Sequence, residues 1–346
     1  MNNKLKEALI PVLSVFIAML IGGGVIAYLG KNPFTAYMYL FQGAFVGKRE
    51  IAQTLLMSTP LIFTGLSVAF AFKAGLFNIG SQGQMVAGGL AAVAVAAFVK
   101  TPLISNVVIA IIAAAAAGFI WAGISGWLKA KLGVHEVIST IMLNYIAINF
   151  EQYLLNYPFK EGGVAGPSPV TPPISAASKL PSILPPTSLN FGFIIAILAA
   201  ITIWYILEKT VLGYEIKAIG FNPTASENAG INVVWGVVLA MGISGILAGL
   251  GGAERVLGGI GQDRYISGLM ASYGFDGIAV ALLGKNNPFG IIVAAILFGA
   301  LRAGAMKMQF LAGVPSQIII IIQAVIILLV ASENMFKALL NRKKVS

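Results

Sequence analysis

Between two strongly apolar intervals, Lys73-Ala-Gly-Leu-Phe-Asn-Ile-Gly-Ser-Gln-Gly-Gln84 sets four neutral hydrogen-bonding side chains, Asn78, Ser81, Gln82 and Gln84, among three glycines. The stretch is too short for a loop domain. Non-helical backbone near membrane depth persists only where it is buried in protein or lines a watery cavity. Amides and a hydroxyl placed there suit an uncharged solute rich in hydroxyl or amide groups. An ordinary polar turn at the cytoplasmic surface accounts for the same residues equally well.

A second polar segment, from Gly213 to Asn232, carries helix signals. Asn222 can cap a helix that begins at Pro223, or Thr224 and Glu227 can form a capping box, and Gly230 supplies the stop. About two turns of helix result, rich in small residues and too polar to enter lipid. Such a helix lies across the cytoplasmic surface and offers itself to another protein; a plain connecting loop is the simpler alternative.

Charge is scarce elsewhere, which draws attention to Glu254, Arg255, Asp263 and Arg264, with Asp276 further on. Structural ion pairs or interface anchors are the preferred reading of the first four, and Asp276 is the exception worth testing. His135, beside Glu136 and near Lys131, sits at a span end and reads as an interfacial residue rather than a proton relay. Being the sole histidine, it leaves no multi-histidine metal site, and with no cysteine there is neither a disulfide nor a thiolate nucleophile. Gly277 to Asn286 superficially resembles a phosphate loop. Six residues separate its glycines, however, and Asn286 stands where Ser or Thr would hold magnesium, so no ATP site is expected. There is no H-E-x-x-H helix and no G-x-S-x-G elbow, so enzyme chemistry has no basis.

The elements that must position these residues follow from composition. Of 346 residues 58% are hydrophobic and only 10% charged, against ~25% charged in an ordinary soluble domain. At ~20 apolar residues per span, the apolar content fills roughly ten helices and leaves no room for a separate ATP-binding or enzymatic domain. The largely uncharged intervals are Ala8–Leu29, Ile51–Phe72, Gln84–Val99, Leu103–Leu128, Val137–Phe150, Phe191–Leu207, Val233–Gly252, Ala271–Gly284, Pro288–Leu301 and Pro315–Val330. Val137–Phe150 and Ala271–Gly284 are short for a span and are expected to be tilted, broken or sheltered in the bundle. Pro288–Leu301 can run on past Arg302 if that side chain snorkels.

Lys4 and Lys6 precede an apolar stretch longer than a secretory core, which reads as an uncleaved first span. Placing both termini in the cytoplasm puts 12 of the 22 basic residues inside, a bias that rests mostly on Arg342, Lys343 and Lys344. The Pro-rich stretch 156–190 then becomes a stiff external loop, a docking surface or a spacer. The net charge of +10 suits anionic lipid headgroups better than nucleic acid, for which no sufficiently dense basic run exists. The run Gly242-Ile-Ser-Gly245-Ile-Leu-Ala-Gly249 is assigned to close helix packing rather than to solute contact. Gly65–Gly75 leading to Gln84–Val99 parallels Gly245–Gly259 leading to Phe275–Gly284, a hint of the internal repeats common in transporters. The fold class is thus all-α, a polytopic membrane helix bundle of about ten transmembrane helices with a broken or re-entrant segment.

Gly75-Leu-Phe-Asn-Ile-Gly-Ser-Gln-Gly-Gln84 resembles the signature of permease subunits of ABC-type nucleoside and simple-sugar importers. Lys217 to Ile231 and Gly274 to Gly290 match the same family, and the likeness covers nearly the whole chain. It is nearest to the branch that works with a basic-membrane-protein-type lipoprotein and takes up nucleosides such as guanosine, with sugar and branched-chain amino-acid permeases sharing much of the plan. Ser81 departs from the small, Ala-like residue expected there, which bears on substrate preference.

The resemblance implies a single permease domain over 1–346 that forms the pathway together with a second, similar permease. Two cytoplasmic ATP-binding subunits, holding ATP and magnesium, lie beneath, and an external binding lipoprotein lies above. Within 208–232 the helix Pro223–Ala229 would be the coupling helix, with Glu215, Lys217, Asn222, Thr224, Ala225, Glu227, Asn228 and Gly230 at or near the ATPase contact. Asn78, Ser81, Gln82, Gln84 and Asp276 would border the solute pathway. A secondary transporter driven by protons or sodium would also show ten spans and broken helices, although the spans offer little beyond Asp276 for ion coupling. A non-transporting scaffold would leave both polar segments without a purpose.

Overall fold

A computed structural model describes residues 3–99, 103–164, 166, 168–259 and 263–332. The basic residues Lys337, Arg342, Lys343 and Lys344 lie outside them. The described residues are helical apart from loops and two isolated bridges, Val170 with Ile266 and Ser182 with Asn190. Thirteen α-helices follow one another: α1 Asn3–Tyr28, α2 Pro33–Phe45, α3 Lys48–Lys73, α4 Ser81–Phe98, α5 Leu103–Leu132, α6 Glu136–Asn156, α7 Gly192–Lys209, α8 Val211–Phe221, α9 Pro223–Asn228, α10 Val233–Leu257, α11 Tyr273–Leu283, α12 Pro288–Ala312 and α13 Gln317–Ala331. Six of these contain stretches long and apolar enough to cross a membrane (in α3, α4, α5, α7, α10 and α12), and three shorter apolar helices accompany them. The protein is a multi-pass membrane protein.

Several elements differ from the sequence reading for identifiable reasons. The apolar interval Val137–Phe150 is only the N-terminal part of α6, which continues through the polar residues Glu151 and Gln152 to Asn156, 21 residues in all. Helix α12 does run past Arg302 to Ala312. By contrast α11 stops at 11 residues, roughly 16 Å at 1.5 Å per residue and about half of a bilayer core. Two helices were not anticipated. At 13 residues α2 is too short to register as a span, though Asn32 caps it and Pro33 opens it. Helix α8 was read as a polar connector, yet Thr210 caps it and Ile216 and Ile219 are fully buried.

The chain divides into two compact units, Ser58–Ala295 and the combination of Met1–Met57 with Ile296–Ser346. In the larger unit α4, α5 and α10 meet on glycine. A Cβ on Gly118 would collide with the Gly245 carbonyl, one on Gly249 with that of Ala114, one on Gly88 with the Gly249 backbone and one on Gly252 with the Met85 carbonyl. Backbones in lipid approach this closely only when side chains are absent, and the contact is then held by van der Waals packing over a large area. The spacing of Gly245 and Gly249 therefore serves packing, as expected. The described residues of 156–190, in the same unit, form a cap bonded to the helices beside it. Thr171 N–H donates to Tyr265 O at 3.2 Å, Ile174 N–H to Asp263 O at 2.7 Å, Leu180 N–H to Leu257 O at 2.8 Å and Ser175 N–H to Ala96 O at 3.3 Å.

In the smaller unit α1 packs on α13 with Gly22 against Ile322, and the Tyr37 hydroxyl on α2 donates to Met19 O on α1. Helix α2 crosses α12 where Gly304 lies under the Leu40 carbonyl and Gly43 faces Lys307.

Candidate functional site

The polar segment begins where α3 ends. Gly75 takes φ +73°, its N–H donates to Phe72 O at 3.0 Å, and Leu76 N–H reaches back to Ala71 O at 3.1 Å. This pair of bonds is a Schellman cap, which closes the helix and turns the chain with a left-handed glycine. Four residues of non-helical backbone follow before α4 starts at Ser81.

Every hydrogen-bonding position of the Asn78 side chain is used inside the protein. Its Nδ2 donates to Gln84 Oε1 at 3.0 Å and to Ser244 Oγ at 2.7 Å, while Oδ1 accepts from Gln84 Nε2 at 3.0 Å and from Gly80 N–H at 2.8 Å. Two donors and two acceptor lone pairs are all that an amide owns. The Ser244 hydroxyl passes its proton on to Ser67 O at 2.6 Å, tying the segment to α10 and α3. Asn78, Ser81, Gln82 and Gln84 are all buried. Ser81 Oγ has no hydrogen-bond partner among the described residues.

Gln82 reaches across to the segment that precedes α11. Its Nε2 donates to Met270 O at 2.7 Å and its Oε1 accepts from Gly274 N–H at 2.9 Å. Gly274 is pressed so closely on the Gln82 backbone that a Cβ there would overlap it. The first turns of α4 and α11 thus abut, and Ser272 just before α11 adopts φ +68° to make the entry. Asp276, half-buried, lies in the first turn of α11 two residues beyond Gly274. The structure therefore brings Asn78, Ser81, Gln82 and Gln84 together and sets Asp276 beside the same junction.

Two side chains of this network, Ser244 on α10 and Asn144 on α6, were missed. Asn144 on α6 accepts from Gly83 N–H at 2.7 Å and donates to Ile79 O at 3.0 Å, holding the broken segment from its other side. The signal was available, since an amide in the middle of an apolar span needs a partner.

The second polar segment has the helix that its sequence requires. Asn222 Oδ1 accepts from Ala225 N–H at 3.0 Å, Pro223 opens α9, and Ile231 N–H closes it on Ser226 O at 3.0 Å with Gly230 at φ +86°. Of the two caps considered, Asn222 is the one formed. Pro223, Thr224, Ala225, Glu227, Asn228 and Gly230 are exposed, and only Ser226 of α9 is buried. Glu215 and Lys217 lie on α8 and are half-buried, with Lys217 Nζ 3.3 Å from Glu208 Oε1 at the end of α7.

A contact not foreseen joins the two segments. Gly220, near the end of α8, lies backbone to backbone on the α3 cap: a Cβ on Gly220 would strike the Lys73 carbonyl, and one on Gly75 would sit 3.2 Å from Gly220 Cα. Helix α8 is held there by Ile219, whose side chain fills the space over Gly236 of α10.

The charged residues between 254 and 264 serve as stitches. Asp263 pairs with Lys179 and Arg264 with Glu161, both across to the 156–190 cap. Glu254 Oε1 accepts from Asn190 Nδ2 at 3.2 Å, and the Arg255 guanidinium stacks 4.9 Å from the Tyr273 ring. His135 is an exposed N-cap whose Nδ1 accepts from Val137 N–H. The Gly284-Lys285-Asn286 turn closes α11, with Asn286 N–H donating to Ala281 O at 2.8 Å, and leads directly into α12, which Asn287 Oδ1 caps by accepting from Phe289 N–H at 3.0 Å.

Residues 50–331 match the family described as branched-chain amino acid transport system / permease component. The chain is 38% identical to the guanosine ABC transporter permease protein NupP of Bacillus subtilis, over 99% of both chains. It is also 38% identical to the nucleoside ABC transporter permease protein NupB of Lactococcus lactis, over 99% of this chain and 96% of that one. The glucose ABC transporter permease protein TsgB13 of Haloferax volcanii is 33% identical over 94% of this chain and 88% of its own.

Proposed function

Because the chain belongs to the branched-chain amino acid transport system / permease component family, we propose that it is the membrane-spanning permease subunit of an ATP-driven importer and forms the translocation pathway for nucleosides. The two relatives at 38% identity are named for guanosine and nucleoside transport, which favours nucleosides over the sugar suggested by the 33% relative. The subunit carries no ATPase chemistry of its own. It works as one permease domain with a second, similar permease, two cytoplasmic ATP-binding domains and an external substrate-binding lipoprotein, in the cell membrane with both termini inside.

The observation that carries this reading is the seating of Gly220 on the Lys73–Gly75 cap. Helix α9 presents Pro223, Thr224, Ala225, Glu227, Asn228 and Gly230 to solvent as a knob for an ATPase groove, flanked by Glu215, Lys217 and the capping Asn222. Motion of that knob passes through α8 to the cap at the head of the broken segment, and from there through Gln82 to α11. Such a chain of rigid contacts converts closing of the ATPase pair into a shift of the junction. Asn78, Ser81, Gln82, Gln84 and Asp276 border the pathway there, with Ser81 Oγ a buried hydroxyl that no described residue satisfies.

The test is to tag the chain in its native membrane, purify it gently and assay ATP hydrolysis with and without guanosine. Co-purification of a second permease and an ATPase, with turnover raised by guanosine and a binding protein, is the expected result. Recovery of the chain alone, with uptake abolished by a protonophore and indifferent to ATP depletion, would replace this reading with a gradient-driven carrier.

A further inference from the structure

In the smaller unit, charged side chains that the broken segment does not use converge on a second place. Helix α2 ends at Phe45, the chain turns at Gly47 with φ +121°, and α3 starts at Lys48. Because α2 crosses α12 at Gly43 and Gly304, the first turns of α3 are brought alongside Met306 and Lys307. Gly304 is eight residues from the end of α12, about 12 Å of helix rise. A cavity of ≈ 380 Å³ opens beside this crossing, lined by Arg49, Glu50, Gln53, Met306 and Lys307 among others. That volume falls in the ~300–1,000 Å³ range of small-molecule sites.

The side chains of Arg49, Glu50, Gln53 and Lys307 make no hydrogen bond or ion pair with another described residue. Arg49 is exposed and Glu50, Gln53 and Lys307 are half-buried, so their polar ends are accessible at the cavity and are not used by other described residues. A cavity of similar volume, ≈ 400 Å³ between α4, α5 and α6, is lined by alanines, Leu90, Trp121 and Phe150 and offers a polar solute almost nothing.

We propose that the cavity bounded by Arg49, Glu50, Gln53, Met306 and Lys307 is a binding site for an oxopurine nucleoside on its way through the permease. The chemistry is matched group by group. A carboxylate accepts only, so Glu50 takes the N1–H and N2–H edge of the base. Arg49 and Lys307 donate only, and oxopurine O6 and N7 form an acceptor pair that arginine and lysine favour. Gln53 does both and suits a ribose hydroxyl. The Met306 thioether is an adaptable apolar surface for a flat ring. Two cations against one anion also select a ligand edge rich in acceptors. This inference rests on the nucleoside reading above and deepens it.

The protein contains no cysteine, so Met306→Cys and, independently, Gln53→Cys each provide one thiol at the cavity. In native membranes, modification by a small charged methanethiosulfonate is timed with guanosine, with leucine and with neither. With guanosine about tenfold above its dissociation constant, labelling slows about tenfold if the two compete for the site. Leucine leaves the rate unchanged. In parallel, Glu50→Gln lowers kcat/KM for guanosine uptake by about tenfold or more, as loss of a charge-assisted bond requires. If the unsubstituted chain supports no nucleoside uptake, the functional reading itself is wrong. If it does, but guanosine protects neither thiol, or leucine alone protects, the site assignment falls while the functional reading stands.

Discussion

Replacing Gln82 by Leu removes two bonds that no neighbour can replace. Met270 O loses the 2.7 Å bond from Nε2 and Gly274 N–H loses the 2.9 Å bond to Oε1, both in a buried setting. Leaving a buried polar group unpaired costs ~1–3 kcal/mol each, so the junction between α4 and α11 is destabilised by about 2–6 kcal/mol. Even the lower figure is about a thirtyfold change in population. The glycine-seated packing of α4, α5 and α10 does not involve this side chain, so the bundle still inserts and assembles while the start of α11 drifts. The assay is radiolabelled guanosine uptake in cells lacking the native gene, with the amount of chain in the membrane measured by immunoblot. Vmax is expected to fall at least about tenfold at an unchanged membrane level. Because Gln82 holds backbone rather than solute, the fall should be proportionate for every transported nucleoside. Uptake with unaltered Vmax and KM would refute the reasoning outright. A loss confined to one base would move Gln82 from positioning α11 to touching the solute.

Other substitutions probe separate links. Ser81→Ala removes a hydroxyl that has no partner and should leave thermal stability in detergent unchanged or slightly raised, while altering the relative uptake of different nucleosides if Ser81 faces the pathway. Gly220→Ala forces α8 off the α3 cap at a cost of about 1–3 kcal/mol, and is expected to leave ATPase activity intact while reducing guanosine uptake per ATP hydrolysed. Glu227→Lys combined with Ala225→Trp alters the exposed face of α9, and should abolish stimulation of the ATPase without lowering the level of the chain in the membrane. Gly249→Leu drives a side chain into the Ala114 carbonyl and the Gly118 backbone and should remove the chain from the membrane altogether, a loss visible by immunoblot before any transport is assayed.

Local signals in the sequence carried the helix caps and the apolar intervals well. Asn222 followed by Pro223, with Gly230 at the far end, specifies a short capped helix without reference to anything distant, and that helix forms. The paired glycines of α10 similarly announce close packing. Long-range partners were not legible. That Asn78 and Gln84 pair with each other, and that Gln82 pins a segment 188 residues away, depends on the three-dimensional path of α11. Periodicity contains no trace of that path. Helix α8 was hidden because its buried stripe is only two isoleucines wide, and α2 because 13 residues fall below the length at which hydropathy recognises a span. The charged residues near 254–264 looked like a cluster in sequence, yet each is paired with a different distant group.

The bonding of the 156–190 cap has a mechanical consequence. It is bonded to the carbonyl of Ala96 near the C-terminal end of α4, to Leu257 at the end of α10, and to Asp263 and Tyr265 in the strand of chain that leads into α11. Helix α8 bears on the turn before the other end of α4. Force applied to the cap and force applied to α9 therefore arrive at one junction by independent routes, from opposite ends of the same helix. Under the proposed reading, a binding protein seated on the cap and an ATPase pair closing on α9 would be two separate inputs to that junction, and cutting one set of bonds would leave the other route intact.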